Sequence, residues 1–193
     1  PHKTIDPVVI AAEIVLAIQT IVSRTVDPLE HAVVSITNFN GGTGANNIIP
    51  SEVTLLGTAR AFKNEIRDLI EKRLHEIVPG IAKLHGGQAE VDYHRNYDPT
   101  TNDADQASFC AGVARDLVGA GQVVPFVPTM GAEDFGAMLA QKPGCYVALG
   151  QGVPAPDSPH NFGLHHPRYD FNDDILPDGI RYFVAVAEKS LAA

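Results

Sequence analysis

Between Ile5 and Asp27 the segment IDPVVIAAEIVLAIQTIVSRTVD places apolar residues on nearly every helical face, with Asp6 where an N-cap belongs and Pro7 at the first helical position. A helix of that pattern needs two buried sides. HAVVSITNF and SEVTLLGTARAF are rich in β-branched residues and flank the turn-forming NGGTGANNIIP, which predicts neighbouring strands joined by a loop. KNEIRDLIEKRLHEIV repeats Ile66, Leu69, Ile70, Leu74 and Ile77 on one stripe with charges opposite. That is an amphipathic helix, which Pro79 is expected to end or kink, with Gly86 and Gly87 following as a helix stop. QAEVDYHRNY alternates Ala89, Val91 and Tyr93 with Glu90, Asp92 and His94, the pattern of a half-buried strand.

The order helix, strand, strand, helix, strand is a ferredoxin-like βαββαβ unit lacking its first strand, which would lie just before Pro1. Such a unit is an antiparallel sheet with both helices on one face. After NYDPTTND the pattern changes, and a boundary is expected between Asn96 and Asn102, dividing the chain into residues 1–96 and 97–193. DADQASFCAGVARDLVGAG, AEDFGAMLAQ and DILPDGIRYFVAVAEKSLA read as helices, and QVVPFV and GCYVALG as strands. Two short strands make a poor sheet alone, so this α/β half is expected to be the end of a larger domain. The start at Pro1, without Met, points the same way.

Composition narrows the partners. The 193 residues are 45% hydrophobic, enough for a core, and carry a net charge of −9 with no Lys/Arg cluster, which argues against nucleic acid or an anionic membrane and favours small molecules. The run VVIAAEIVLAI is interrupted by Glu13 and is short for a membrane span; no secretory leader precedes it, and a cytoplasmic protein is expected. Cys110 and Cys145 form no CxxC motif and are expected to be reduced, buried thiols.

Candidate chemistry lies in four places. In NFGLHHPRYDFNDD, His165 and His166 precede Asp170, Asp173 and Asp174, and imidazoles with nearby carboxylates are what a divalent metal site needs; a solvated polar loop is the plainer reading, and His160 is a weaker candidate. In MGAEDFG, Glu133 and Asp134 stand at a helix start, where carboxylates also serve as caps. GGTGANNIIP precedes a strand and lacks GK[ST], so it is no phosphate loop, although Asn46 or Asn47 can donate an amide. Arg60 in GTARAF can grip a carboxylate bidentately, or be an ordinary surface arginine.

PHKTIDPVVIAAEIVLAIQTIVSR, GGTGANNIIP, GTARAF, GAEDFG, PGCYVALG and LHHPRYDFNDDILPDG follow one another in this order. Together they resemble the amidohydrolase branch of the co-catalytic metallopeptidase superfamily: hippurate hydrolases, N-acyl-amino-acid amidohydrolases and plant auxin-conjugate hydrolases. The resemblance implies an α/β catalytic domain holding two divalent metal ions, zinc or manganese, interrupted by a βαββαβ lid that forms homodimers. Residues 1–96 match the lid and 97–193 the returning C-terminal part of the catalytic domain. It implies a metal ligand at His165, leaves His166 in a variable place, and implies substrate contacts at Asn47 and, less specifically, Arg60. Glu133 matches a signature glutamate of underived role.

The family's other ligands and its general-base glutamate lie upstream of these residues, so no catalytic residue is assigned here and an incomplete metal site is expected. The implied reaction of the complete protein is metal-assisted hydrolysis of N-acyl amino acids, with lid donors such as Asn47 steadying the oxyanion. The alternative is a dimerisation and ligand-binding module without catalysis of its own.

Overall fold

Asp6 starts the first helix, α1 (Pro7–Thr20), by accepting the main-chain N–H groups of Val8 at 2.9 Å and Val9 at 3.4 Å. This is how an aspartate satisfies donors that have no partner within the helix. In the computed structural model, which describes residues 1–192, α1 runs on into a π-helical turn, Ile21–Thr25. Pro7–Thr25 together are 19 residues, long and apolar enough to cross a membrane by length and composition, so the sequence run underestimates the helix. One face of it, however, is core: Ile10, Ala11, Ile14, Ile18 and Ile21 are buried.

The strands β1 (Ala32–Gly41) and β2 (Val53–Ala61) pair antiparallel from Ala32 opposite Ala61 to Gly41 opposite Val53, with a bulge between Ile36 and Asn38. The helix α2 (Asn64–Leu84) brings Ile70 and Ala82 into the same core, where Val34 and Leu55 meet α1. Each fully buried isoleucine contributes roughly 1.5–3 kcal/mol relative to exposure.

Pro79 does not end α2. The helix passes through it to Leu84, because Ile77, Val78 and Ile81 around the proline pack on the core and offset the one hydrogen bond it cannot donate. The stop comes at Gly86, whose φ of +76° suits a residue without Cβ; the Gly86 and Gly87 N–H groups then bond back to the carbonyls of Lys83 and Ala82 at 3.0 and 2.8 Å.

The expected strand over 88–97 is not formed. Ala89, Val91 and Tyr93 are half-buried and Glu90, Asp92 and His94 exposed, as the alternation predicts, but among the described residues the sheet has two strands only. Side chains hold the segment instead: Arg95 pairs with Asp68 and Glu71, and Arg67 reaches Asp98 at 2.6 Å and the Tyr97 carbonyl at 3.0 Å. Period-two burial therefore does not require a ladder. These residues, 1–99 with Met130–Glu133, form one unit.

The second unit comprises Thr100–Thr129 and the chain from Asp134 on. Its helices are α3 (Ala104–Val118), α4 (Phe135–Leu139) and α5 (Leu176–Leu191). Asp103 caps α3 by accepting the Gln106 N–H at 2.9 Å. Tyr182 of α5 donates its hydroxyl to the Cys110 carbonyl at 3.4 Å, and burial together with the Cys110 thiol pushes that phenol well above its ordinary pKa.

The expected strands over 122–127 and 144–150 carry no ladder either, and Val124, Phe126, Val127, Val147 and Leu149 are exposed. The start of the second segment is fastened to the residues before α3: the Gly144 carbonyl accepts the Asp103 N–H at 3.1 Å, and Tyr146 exchanges two bonds with the Asn102 amide, its N–H donating to Oδ1 at 2.7 Å and its carbonyl accepting from Nδ2 at 2.9 Å. A strand needs a neighbour to satisfy its main-chain groups, and these two do not pair with one another. The whole is a mixed α/β fold with a small antiparallel sheet.

Candidate functional site

The loop between residues 151 and 174 is organised by three amide side chains. Gln151 donates to the carbonyls of His160 and Asp170 at 3.0 and 3.2 Å, and its own oxygen accepts the Tyr169 hydroxyl at 3.3 Å and the Asn172 N–H at 3.2 Å. Asn172, the one buried polar residue among those described at 6% exposure, returns a bond to the Gln151 carbonyl at 3.1 Å and caps the turn Asp173–Ile175. Asn161 closes the inner part of the loop onto Val153 and Ala155. A loop tied at this many points carries its remaining side chains on a defined backbone.

On that backbone the two histidines of the HH pair differ. His166 is engaged: its ring lies flat against Phe162, centroids 4.2 Å apart and planes at 4°, and its Nδ1 accepts the Arg168 N–H at 3.0 Å. His165 is exposed, sits at φ +69°, and among the described residues its imidazole makes no hydrogen bond. His160 turns its Nδ1 to the Asp170 carbonyl at 3.1 Å, with the Asp170 carboxylate at 3.6 Å, which makes it a loop tether.

The chemistry of His165 fits a metal, since a free imidazole in the open is a nitrogen donor for a divalent ion. It would supply one ligand. Among the described residues no three His, Cys, Asp or Glu side chains gather around a point, so Asp170, Asp173 and Asp174 do not complete a shell with it.

The remaining candidates lie in the first unit. Asn47 is exposed on the loop between β1 and β2, whose course uses positive φ at Gly42 and Gly44. Arg60 is exposed on β2, opposite Val33, and donates Nη1 to the Met130 carbonyl, which brings it to the start of MGAED. Its partner is main chain. Glu133 is half-buried, and Asp134, at the N-cap position of α4, makes no capping bond with its side chain. Of the two carboxylates at this helix start, Asp134 therefore does not act as the cap. Cys110 is buried as expected, but Cys145 is only half-buried; both are free.

Sequence reasoning did not single out Gln151, Asn161, Asn172, Phe162 or Arg168. Asn172 ahead of two aspartates is a legible cap signal; the others act through contacts that no spacing announces.

The sequence matches Peptidase family M20/M25/M40 over residues 4–189. The chain belongs to that family. It is 36% identical to IAA-amino acid hydrolase ILR1-like 2 of Arabidopsis thaliana, covering 99% of this chain and 43% of that protein. It is 34% identical to the hippurate hydrolase of Campylobacter jejuni, covering 99% and 48%. A solved structure, the Bacillus subtilis YXEP protein described as a dinuclear metal binding peptidase of family M20, superposes with a TM-score of 0.76 at 28% identity, over all of this chain and 48% of that one. The M20 chain thus spans about half the length of the curated relatives it matches.

Proposed function

We propose that this chain contributes the lid and one metal ligand to a metal-dependent amidohydrolase acting on N-acyl amino acids. The observation that carries the proposal is His165, an exposed imidazole on a tied loop with no partner of its own among the described residues. Relatives named for hippurate and for IAA-amino acid substrates, both acylated amino acids, support the substrate class.

In this reading residues 1–96 are a ferredoxin-like lid and 97–193 the C-terminal part of the catalytic domain. Two divalent ions, zinc or manganese, would be shared with ligands outside this chain and would supply an acidified water and a polarised carbonyl. His165 donates one imidazole nitrogen to that centre. Asn47 offers an amide N–H to the developing oxyanion, and Arg60 lends positive charge near the substrate carboxylate. Glu133, three residues after Met130 in the sequence, is a further polar candidate.

The lid would form a homodimer. The edge of β1 away from β2 is unpaired among the described residues, Val33 and Phe39 on β1 are exposed, and the outer face of α1 presents Val8, Val9 and Leu16, the last 73% exposed. An uncharged edge beside an apolar face invites a second copy. Light scattering at tens of micromolar should give twice the 20.6 kDa chain mass; a strictly monomeric mass removes the dimer.

The catalytic part is tested by calorimetric titration of metal-free chain with zinc and manganese beside a hippurate hydrolysis assay. The chain as given should bind both ions weakly and show no turnover, because a catalytic zinc takes about three protein ligands. In an active hydrolase containing this sequence, His165→Ala should lower kcat/KM by more than about a hundredfold with loss of metal, and His166→Ala by much less. Equal losses for the two would remove His165 as the ligand.

A further inference from the structure

We propose that His166, clamped on Phe162, is the positioning residue that holds His165 in its left-handed conformation and so presents the His165 imidazole outward; the purpose assigned to this rests on His165 being the metal ligand.

Among the described residues, His165 is the one non-glycine residue with positive φ, +69°. A side chain with a Cβ disfavours that region, and such a residue persists only where its surroundings over-determine it. The surroundings converge on the next residue. The His166 N–H donates to the Gly163 carbonyl at 3.2 Å and the His166 carbonyl accepts the Tyr169 N–H at 2.9 Å, so two consecutive turns share His166.

Its side chain adds a third bond, Nδ1 accepting the Arg168 N–H at 3.0 Å, and a stacked contact at 4.2 Å with Phe162. The Arg168 guanidinium carbon lies 4.6 Å from the centre of the same Phe162 ring, which fixes the ring in turn. A main-chain N–H can only donate, so Nδ1 of His166 bears no proton in this arrangement. With both peptide planes around His166 held, the backbone at His165 is left the rotation that turns its side chain away from the clamp. The adjacent histidines thus divide the work, one held and one free. A ligand whose backbone is already set loses less freedom when it binds an ion.

A side-chain oxygen on residue 166 accepting the N–H two residues later is an Asx turn, so asparagine can replace the Nδ1 bond without the ring. The test uses the isotopically labelled 193-residue chain, with NMR couplings and Cα/Cβ shifts reporting φ at His165 and the His165 ring protons, identified by His165→Ala, followed during addition of zinc chloride. In the unaltered chain the left-handed signature and contacts between the rings of Phe162 and His166 are expected. His166→Ala should lose the signature and weaken the zinc response of the His165 ring by about tenfold, the scale of losing a group that orients a ligand. His166→Asn should recover the signature. Phe162→Leu, which leaves the main-chain turns intact, should lose part of it.

A His165 φ unchanged in His166→Ala overturns the proposal, as does a His166→Asn variant that behaves like His166→Ala. If the variants alter φ as expected while zinc at millimolar concentration leaves the His165 ring unmoved in the unaltered chain, the clamp stands and the ligand reading falls.

Discussion

Arg60 on β2 donates a hydrogen bond to the main-chain carbonyl of Met130, seventy residues later in the sequence. That bond ties the GTAR segment to residues 130–133 within one unit, and it uses the guanidinium as an anchor. Replacing Arg60 by Ala should release the 130–133 segment at a cost of about 1 kcal/mol, the usual net scale for one hydrogen bond. Hydrogen exchange at residues 130–133 should accelerate while exchange in β1 stays as it was. Acceleration spread evenly over the unit would show that Arg60 supports the sheet rather than this segment.

Ile70 is fully buried between α1 and the sheet, beside Ile18 and Ile21. Truncating it removes buried methyl groups and leaves a cavity that two helices and a sheet cannot easily close. Ile70→Ala should lower the unfolding free energy of the first unit by roughly 2–5 kcal/mol in urea, whereas Leu16→Ala on the exposed face of α1 should change it by less than about 0.5 kcal/mol as a monomer.

Gly57 faces Ile36 across the sheet, next to the bulge. A Cβ at this position would lie 2.4 Å from the Ser35 carbonyl oxygen, which is backbone and cannot swing aside. Gly57→Ala should therefore destabilise the hairpin by about 1–3 kcal/mol through strain. Thermal unfolding followed by circular dichroism would register the loss; an unchanged midpoint would mean that the bulge absorbs the extra atom.

Cys145 is partly shielded, and burial first, with the Cys110 thiol second, pushes its pKa from the ordinary 9.0 up to about 11. A thiol raised on folding contributes stability that is fully present below the unfolded value and is lost as pH rises through the folded one. The window is thus from 9.0 to about 11. Iodoacetamide at pH 8 should modify Cys145 far more slowly than a free small thiol, with the rate climbing as pH approaches 11. A rate plateau near pH 9 would contradict the shielding.

Local signals in the sequence determined much of this molecule. Asp6 before Pro7, the apolar run behind them, the stripe from Ile66 to Ile77 and the β-branched stretches on either side of NGGTGANN all lie within a turn or two of the structure they specify, and each forms. The six ordered motifs likewise carried the family. What the sequence could not determine depended on neighbours in space. The alternation at 89–94 decides which side chains turn inward but not whether a ladder forms, because hydrogen bonds come from a second segment. The segments 122–127 and 144–150 illustrate the same dependence. Pro79 breaks a helix by local rules, and core packing overrode them. His165 and His166 are identical as letters; only the tertiary placement of Phe162 and Arg168, with Gln151 and Asn172 tying the loop, stacks one ring and leaves the other free, since stacking and main-chain turns are properties of position in space.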